Sequence, residues 1–421
     1  MVASVSERSN PRRSLPRRTA RFAVRRVDAM FSRHGPAFKQ LAVSWAANVA
    51  GDTLVAVALA GTLFFSVPST EARGNVALYL ALTLAPFTVI APVLGGLFAR
   101  LRGVYRAVLT LASTLRTVLA VVMMMGFATL WLYPLAFGML VLSRLYGISK
   151  SSMLPVALPQ PVALVGANAL LARIGIIAGA VILPVGAAAA SIDPAVALAL
   201  AAVCFGLSAF SSLGLPDPRE AARRDMEMGV EEVLAPMPKA PPARALRLAR
   251  LATAGVRLIN GFLLLLLAFE FRDADAGGLD FAALIAAGGG GYGLASLISP
   301  PLERVVREEP MVVAALAVEA AAAFIAGLFF NLGAAAALAA AAGLAWGTAK
   351  FAFDGLLQAS VPPDRRGGAF TRSETMFQLA WVLGAILPVT VAIDAQVGLA
   401  IAGCAALAAQ TVFVAVLLGR R

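Results

Sequence analysis

Asn48 and Asp52 stand four residues apart in "AANVAGDTLVAVALAG" (46–61), a run with almost nothing else polar in it. On a helix that spacing puts both on one face. A carboxylate at the centre of a membrane-spanning helix costs about 2.5–3.5 kcal/mol on insertion scales. Ionisable groups so placed face a bundle interior or a wet cavity, and they mark ion or substrate paths. Other apolar runs hold Arg116, Arg144, Lys150, Arg173, Arg257, Glu319, Lys350 and Asp354, and "SETMFQLAW" adds Glu374 and Gln378. This is material for holding charge and passing protons. Bond-making chemistry has little to work with. The one histidine, His34, lies in a basic N-terminal segment, and the two cysteines, Cys204 and Cys404, are far apart in apolar runs. No zinc, haem or His-based catalytic site, no disulfide framework and no cofactor is expected from that inventory. The glycines of "AAGGGGYG" (286–293) lack the Lys-Ser/Thr of a phosphate loop. Close helix packing accounts for them better.

Those charges need a scaffold of apolar helices. The chain has 421 residues, of which 60% are hydrophobic and 14% charged. A soluble domain averages about 45–50% apolar and about 25% charged residues, so this composition reads as a polytopic membrane protein. Spanning helices need roughly 20 mainly apolar residues. That window predicts twelve, at 41–66, 76–99, 105–130, 133–155, 163–190, 194–215, 248–270, 279–301, 311–330, 332–357, 373–393 and 396–418.

The connectors set an orientation. With a cytoplasmic N-terminus, the cytoplasmic connectors carry Arg100, Arg102 and Arg106, then Arg219, Arg223, Arg224, Lys239, Arg244 and Arg247, then Arg304 and Arg307, then Arg365 and Arg366. The opposite side carries Glu71, Arg73, Asp193, Arg272, Asp273 and Asp275. Lys and Arg collect on one side, as the positive-inside rule requires, so both termini are expected in the cytoplasm. The Pro-rich polar stretch 216–247 then separates 41–215 from 248–421 as two six-helix halves. A faint internal echo, "GAVILPV" (179–185) against "GAILPV" (384–389), agrees with parallel repeats. Residues 1–40 hold ten Lys and Arg against Glu7 and Asp28. Within them "RFAVRRVDAMFSR" (21–33) groups Phe22, Val27, Met30 and Phe31, which suits a short helix on an anionic leaflet. No basic folded module accompanies that tail, so nucleic acid is not an expected partner.

From about residue 38 onward the chain resembles the major facilitator superfamily. That family has a signature, roughly G-x-L-x-D-R-x-G-R-R, between its second and third spans. Here "GGLFARLRGVYR" (95–106) keeps Gly95, Leu97 and Arg100, replaces the aspartate by Ala99 and brings the glycine one residue late as Gly103. "SSMLPVALPQPVALVGANALLARIG" (151–175) is similar to the fourth-to-fifth connector of the lysophospholipid-transporter and macrolide-efflux-like branch, in its Leu154-Pro155 and its Ala167-Asn168-Ala169-Leu170. On helix punctuation alone, Pro155 and Pro159 end one helix and Asn168 begins the next.

The resemblance implies a central cavity lined by the first, fourth, seventh and tenth spans. Asn48, Asp52, Arg144, Arg257, Asn260, Lys350 and Asp354 are then the residues expected to contact substrate or couple protons. Arg100, Glu374 and Gln378 are expected at a gate. The Lys350–Asp354 spacing also suits a simple i, i+4 pair, and Arg116 and Arg173 suit bracing of the bundle. The function implied is secondary transport, not enzymatic, by a monomer in a plasma (inner) membrane. The high Ala, Gly and Arg content suggests a GC-rich bacterial genome. Four basic against two acidic residues on the cavity helices, with the branch resemblance, favour an amphipathic or anionic solute, exported or translocated. A lipid or lysolipid flippase of the same fold, and a non-transporting scaffold for envelope enzymes, are the other expectations.

Overall fold

The computed structural model describes residues 34–63, 104–125, 132–158, 164–217, 243–273, 278–391 and 393–418. Among them the chain forms eleven α-helices: α1 Gly35–Leu63, α2 Tyr105–Met125, α3 Leu132–Ala157, α4 Leu164–Ile192, α5 Pro194–Leu213, α6 Ala243–Asp273, α7 Gly278–Glu303, α8 Glu308–Leu328, α9 Leu332–Ser360, α10 Arg366–Thr390 and α11 Ala395–Leu418. Nine are long and apolar enough to cross a membrane. The two that fall short, α3 and α10, carry Arg144 with Lys150 and Arg372 with Glu374. Their polar side chains lower the hydropathy without interrupting the backbone hydrogen bonds.

These helices fall on the first and the third to twelfth predicted spans. The predicted second span (76–99), Arg100, the basic segment 1–33 and most of the linker lie outside the described residues. Several helices run beyond the apolar window at the Arg-rich end. Thus α1 starts at Gly35, ahead of Lys39, and α10 at Arg366, residues that a window of apolar side chains leaves out. One expectation at the fourth-to-fifth connector is corrected. Pro155 sits inside α3, and α4 begins at Leu164, ahead of Asn168. A proline inside a helix removes the bond its N–H would have made and crowds the carbonyl four residues earlier, here that of Ser151.

Packing follows glycine contacts, as expected where lipid removes the hydrophobic drive between helices and close van der Waals approach replaces it. Helix α1 packs on α4 and α5, and α2 on α3 and α5. Helix α6 packs on α8, α9, α10 and α11, while α9 packs on α7 and α8. Gly261 and Gly384 let α6 and α10 meet backbone to backbone, since a Cβ on either would collide with the Trp381 or Leu258 carbonyl. Gly291 and Gly343 do the same for α7 and α9 against the carbonyls of Ala340 and Gly288. The four-glycine run is therefore partly a packing face. Across the molecule, α4 meets α7 and α9, and α3 meets α9 and α10. These crossing contacts bring the charged residues of distant segments together.

Candidate functional site: an intramembrane charge cluster above a polar latch

Two charged networks stand between the helices. The first is local to α1, α2, α3 and α5. Arg116 on α2 is 1% exposed and lies 4.0 Å from the centroid of the Phe205 ring. Its Nη1 donates to Asn48 Oδ1 at 2.6 Å, and its Nη2 pairs with Asp52 Oδ1. Asn48 Nδ2 donates to Asp52 Oδ2 at 3.2 Å and Ser143 Oγ donates to it at 3.3 Å. Asn48 and Asp52 thus share a face, as their spacing requires, and Arg116 is the cation that answers them. The Asp52 side chain keeps 37% of its surface open.

The second network gathers residues from four helices. Lys350 Nζ on α9 reaches Asp354 Oδ1 at 2.5 Å and Oδ2 at 2.6 Å, one turn along its own helix. It also reaches Glu374 Oε1 on α10 at 2.8 Å. One lysine therefore holds both carboxylates. Arg144 on α3 and Arg257 on α6 lie within electrostatic reach of Glu374, and Lys150 on α3 within reach of Asp354 and Glu374. Among the described residues, four cations (Arg144, Lys150, Arg257, Lys350) lie within electrostatic reach of two anions (Asp354, Glu374), a formal excess of 4 − 2 = +2 there. Indole rings wall the cluster. Arg257 Cζ stands 4.6 Å over Trp346 and 5.5 Å over Trp381, and Lys150 Nζ stands 4.1 Å over Trp45.

Toward the Arg-rich connectors, a polar latch joins helices that are distant in sequence. Pro155 has no N–H, so the Ser151 carbonyl one turn earlier lacks its helical donor. Gln358 Nε2 on α9 supplies it at 2.7 Å, and Asn168 Nδ2 on α4 donates to Gln358 Oε1 at 2.7 Å. Glu303 at the end of α7 accepts the N–H groups of Val165 and Gly166 at 3.2 and 3.1 Å. A carboxylate there satisfies orphan donors in the first turn of α4 and suits the positive end of its dipole. Tyr105 Oη donates to the Pro363 carbonyl at 2.7 Å and accepts from Gly367 N at 3.0 Å. Lys350, Asp354 and Gln358 recur every four residues, so one face of α9 runs from the cluster to the latch.

Of the residues singled out from the sequence, Arg144, Arg257, Lys350, Asp354 and Glu374 come together in the cluster, and Asn48 and Asp52 form the separate network with Arg116. Asn260 lies one turn beyond Arg257 and makes a long contact, 3.5 Å, to the Ala342 carbonyl. Gln378 is buried one turn beyond Glu374. Sequence patterning gave no site role to the tryptophans or to the latch residues Asn168, Gln358 and Glu303. The four-residue rhythm of Lys350, Asp354 and Gln358 was the available signal for Gln358.

No family model matches the chain. Uncharacterized protein ML2143 of Mycobacterium leprae is 31% identical over 402 residues, covering 85% of this chain and 68% of that protein. Uncharacterized proteins MT0899 and Rv0876c of Mycobacterium tuberculosis are each 41% identical over 149 residues, 33% of this chain and 27% of theirs. Among solved structures, the human organic anion transporter MFSD10 (TETRAN) superposes with a TM-score of 0.67 at 15% identity, covering 90% of this chain and 100% of that one. A bacterial homologue of the iron transporter ferroportin in an outward-facing state gives 0.66 at 16% identity, covering 90% and 99%. The major facilitator superfamily transporter FucP in the outward conformation gives 0.60 at 13%, covering 89% and 97%. Such likeness speaks to fold. The chain has the major facilitator fold, spans the membrane many times, and belongs to the family of the Mycobacterium leprae protein ML2143.

Proposed function

We propose that this chain is a secondary transporter that moves an anionic, amphipathic small molecule across the plasma membrane by alternating access. The observation that carries the reading is the intramembrane cluster, whose described residues carry a formal excess of two positive charges. In it Lys150 and Arg257 rest on indole rings rather than on a carboxylate among the described residues. A fixed excess of cations among membrane-spanning helices favours an anionic solute, since buried charge is tolerated where it is matched. MFSD10, which shares the fold, is an organic anion transporter, in keeping with that chemistry.

In this reading twelve helices form two six-helix halves, 41–215 and 248–421, joined by the cytoplasmic linker 216–247, with both termini and the basic segment 1–40 on the cytoplasmic side. The Lys/Arg asymmetry of the connectors supports it. The latch then closes the cytoplasmic end while the cluster forms the floor of an outward cavity. Glu303 and Gln358 hold that gate, to which the sequence also assigns Arg100. Asp52 is the carboxylate assigned to proton coupling, being paired yet partly open.

The test is a thermal-stability screen of the purified chain against organic anions, organic cations, neutral drugs and lysolipids, followed by uptake of each hit into proteoliposomes. Stabilisation and saturable uptake of organic anions are expected. Stabilisation by lysolipids alone would replace this reading with a flippase. Stabilisation by cations alone, or by nothing together with co-purification of an envelope enzyme, would overturn it.

A further inference from the structure

Both carboxylates of the cluster are bound to a single lysine, Lys350. Lys150 and Arg257 consequently have no carboxylate within ion-pair distance among the described residues, and each rests on indole instead. The predicted second span cannot supply one either, because 76–99 contains no Asp or Glu. A cation–π contact compensates a buried charge less than an ion pair does. Both positions are therefore electrostatically under-filled, and they belong to different groups of helices, Lys150 to α3 and Arg257 to α6.

The platform beneath Lys150 is rigid. Trp45 Nε1 donates to the Leu171 carbonyl at 2.8 Å, and its ring stacks on Tyr146 at 6.2 Å between centroids and 15° between planes. Tyr146 is itself tied to Ser44 at 2.7 Å. Gly175 leaves the indole its space, since a Cβ there would stand 2.8 Å from Trp45 Nε1. An aromatic ring held by a hydrogen bond and a stacked neighbour, under a cation with no carboxylate within ion-pair distance among the described residues, is a preorganised stacking surface.

Resting on the anion-transport reading above, we infer that Lys150 and Trp45 form its recognition element and that the substrate class is planar aromatic acids. Lys150 leaves the indole face to take the carboxylate, and the ring of the acid stacks on the face so vacated. Ser151, the next residue, holds the latch through its carbonyl.

The experiment is calorimetric titration of the full purified chain with 2-naphthoate, its uncharged isostere 2-naphthamide, and cyclohexanecarboxylate. The parent is expected to prefer 2-naphthoate to each of the other two by about tenfold or more, the scale of a charge-assisted pair or a good stacking contact. Lys150→Gln should abolish the preference over the amide, Lys150→Arg should restore it, and Trp45→Leu should abolish the preference over cyclohexanecarboxylate. Removing an unpaired cation orphans no partner, so the Lys150 variants are expected to fold, and Lys150→Met serves where Gln does not. If the parent binds organic acids but Lys150→Gln keeps the full charge preference, this inference falls and the transport reading stands. If the parent binds no organic acid, both fall.

Discussion

Pro155 and Gln358 are joined through one carbonyl: the proline deprives Ser151 O of its helical donor, and Gln358 Nε2 replaces it at 2.7 Å from a helix two hundred and seven positions along the chain. A local helix defect and a long-range closure are thus one hydrogen bond. Such a bond is exchangeable, because restoring the local donor removes the need for the distant one.

Gln358→Ala is expected to leave the Ser151 carbonyl without a partner, at roughly 1–3 kcal/mol for a buried orphaned group, while Asn168 Nδ2 keeps its bond to the Leu164 carbonyl. Pro155→Ala should be milder in stability but similar in effect on closure, since residue 155 then competes for Ser151 O. Both variants should speed thiol labelling of a cysteine introduced at Gly147 from the cytoplasmic face of inverted vesicles. Unchanged labelling in both would show that the latch does not govern access.

Asp52→Asn should lower stability by roughly 1–3 kcal/mol, less than the about 3–5 kcal/mol of breaking a fully buried pair, because Asp52 is partly open. Adding Arg116→Met should recover most of that loss, as expected when a buried charge and its partner leave together. Thermal melts of the two single variants and the double variant measure it. In proteoliposomes Asp52→Asn should lose uphill transport and keep downhill exchange, since an amide cannot release a proton. Full uphill transport across pH 6 to 8 would remove Asp52 from the coupling role.

Lys350 gathers two carboxylates, whereas Glu374 gives Lys350 only one of its partners. Lys350→Met should therefore be the most destabilising single change in the cluster, on the order of 3–5 kcal/mol. Glu374→Gln should cost less, because Asp354 still holds the ammonium. Comparison of their melting temperatures tests the order, and a reversed order would mean that another group neutralises the carboxylates.

The glycine run offers an internal control. Gly291→Ala drives a methyl into the Ala340 backbone, while Gly289→Ala meets nothing within 4 Å. The first should lower the melting temperature clearly. The second should leave it unchanged or raise it slightly, as Ala is preferred to Gly in a helix by up to about 1 kcal/mol.

Much of the fold was legible because lipid imposes length and apolarity on each helix separately. Helix ends were less so. At Gly35 and Arg366 the helix takes in Lys39 in the one case and Arg366 and Arg372 in the other, residues that a hydropathy window discards. Within the site, a charge in an apolar run announces itself, and Arg144, Arg257, Lys350 and Asp354 were found that way. Partnership was not readable. Nothing local says that Arg116, rather than Arg144, answers Asp52, or that Trp45 on α1 supports Lys150 on α3. Those facts arise from helix packing, which glycine positions decide. Asn168 shows the difference most clearly: read as a helix start, it is a cross-linking side chain bonded to a residue 190 positions away.

The charge imbalance of the cluster also has an electrical meaning. Under the proposed anion transport, an unloaded carrier would hold the formal excess of two positive charges counted among the described residues. It would respond to membrane voltage wherever its cluster moves through part of the field, at about 2.3 kcal/mol per charge for a full 100 mV drop. A dianion, or two monoanions, cancels that response. The loaded carrier would then cross indifferent to voltage, and the potential would bias only the return of the empty one. Turnover would depend on membrane potential through the step that carries no cargo.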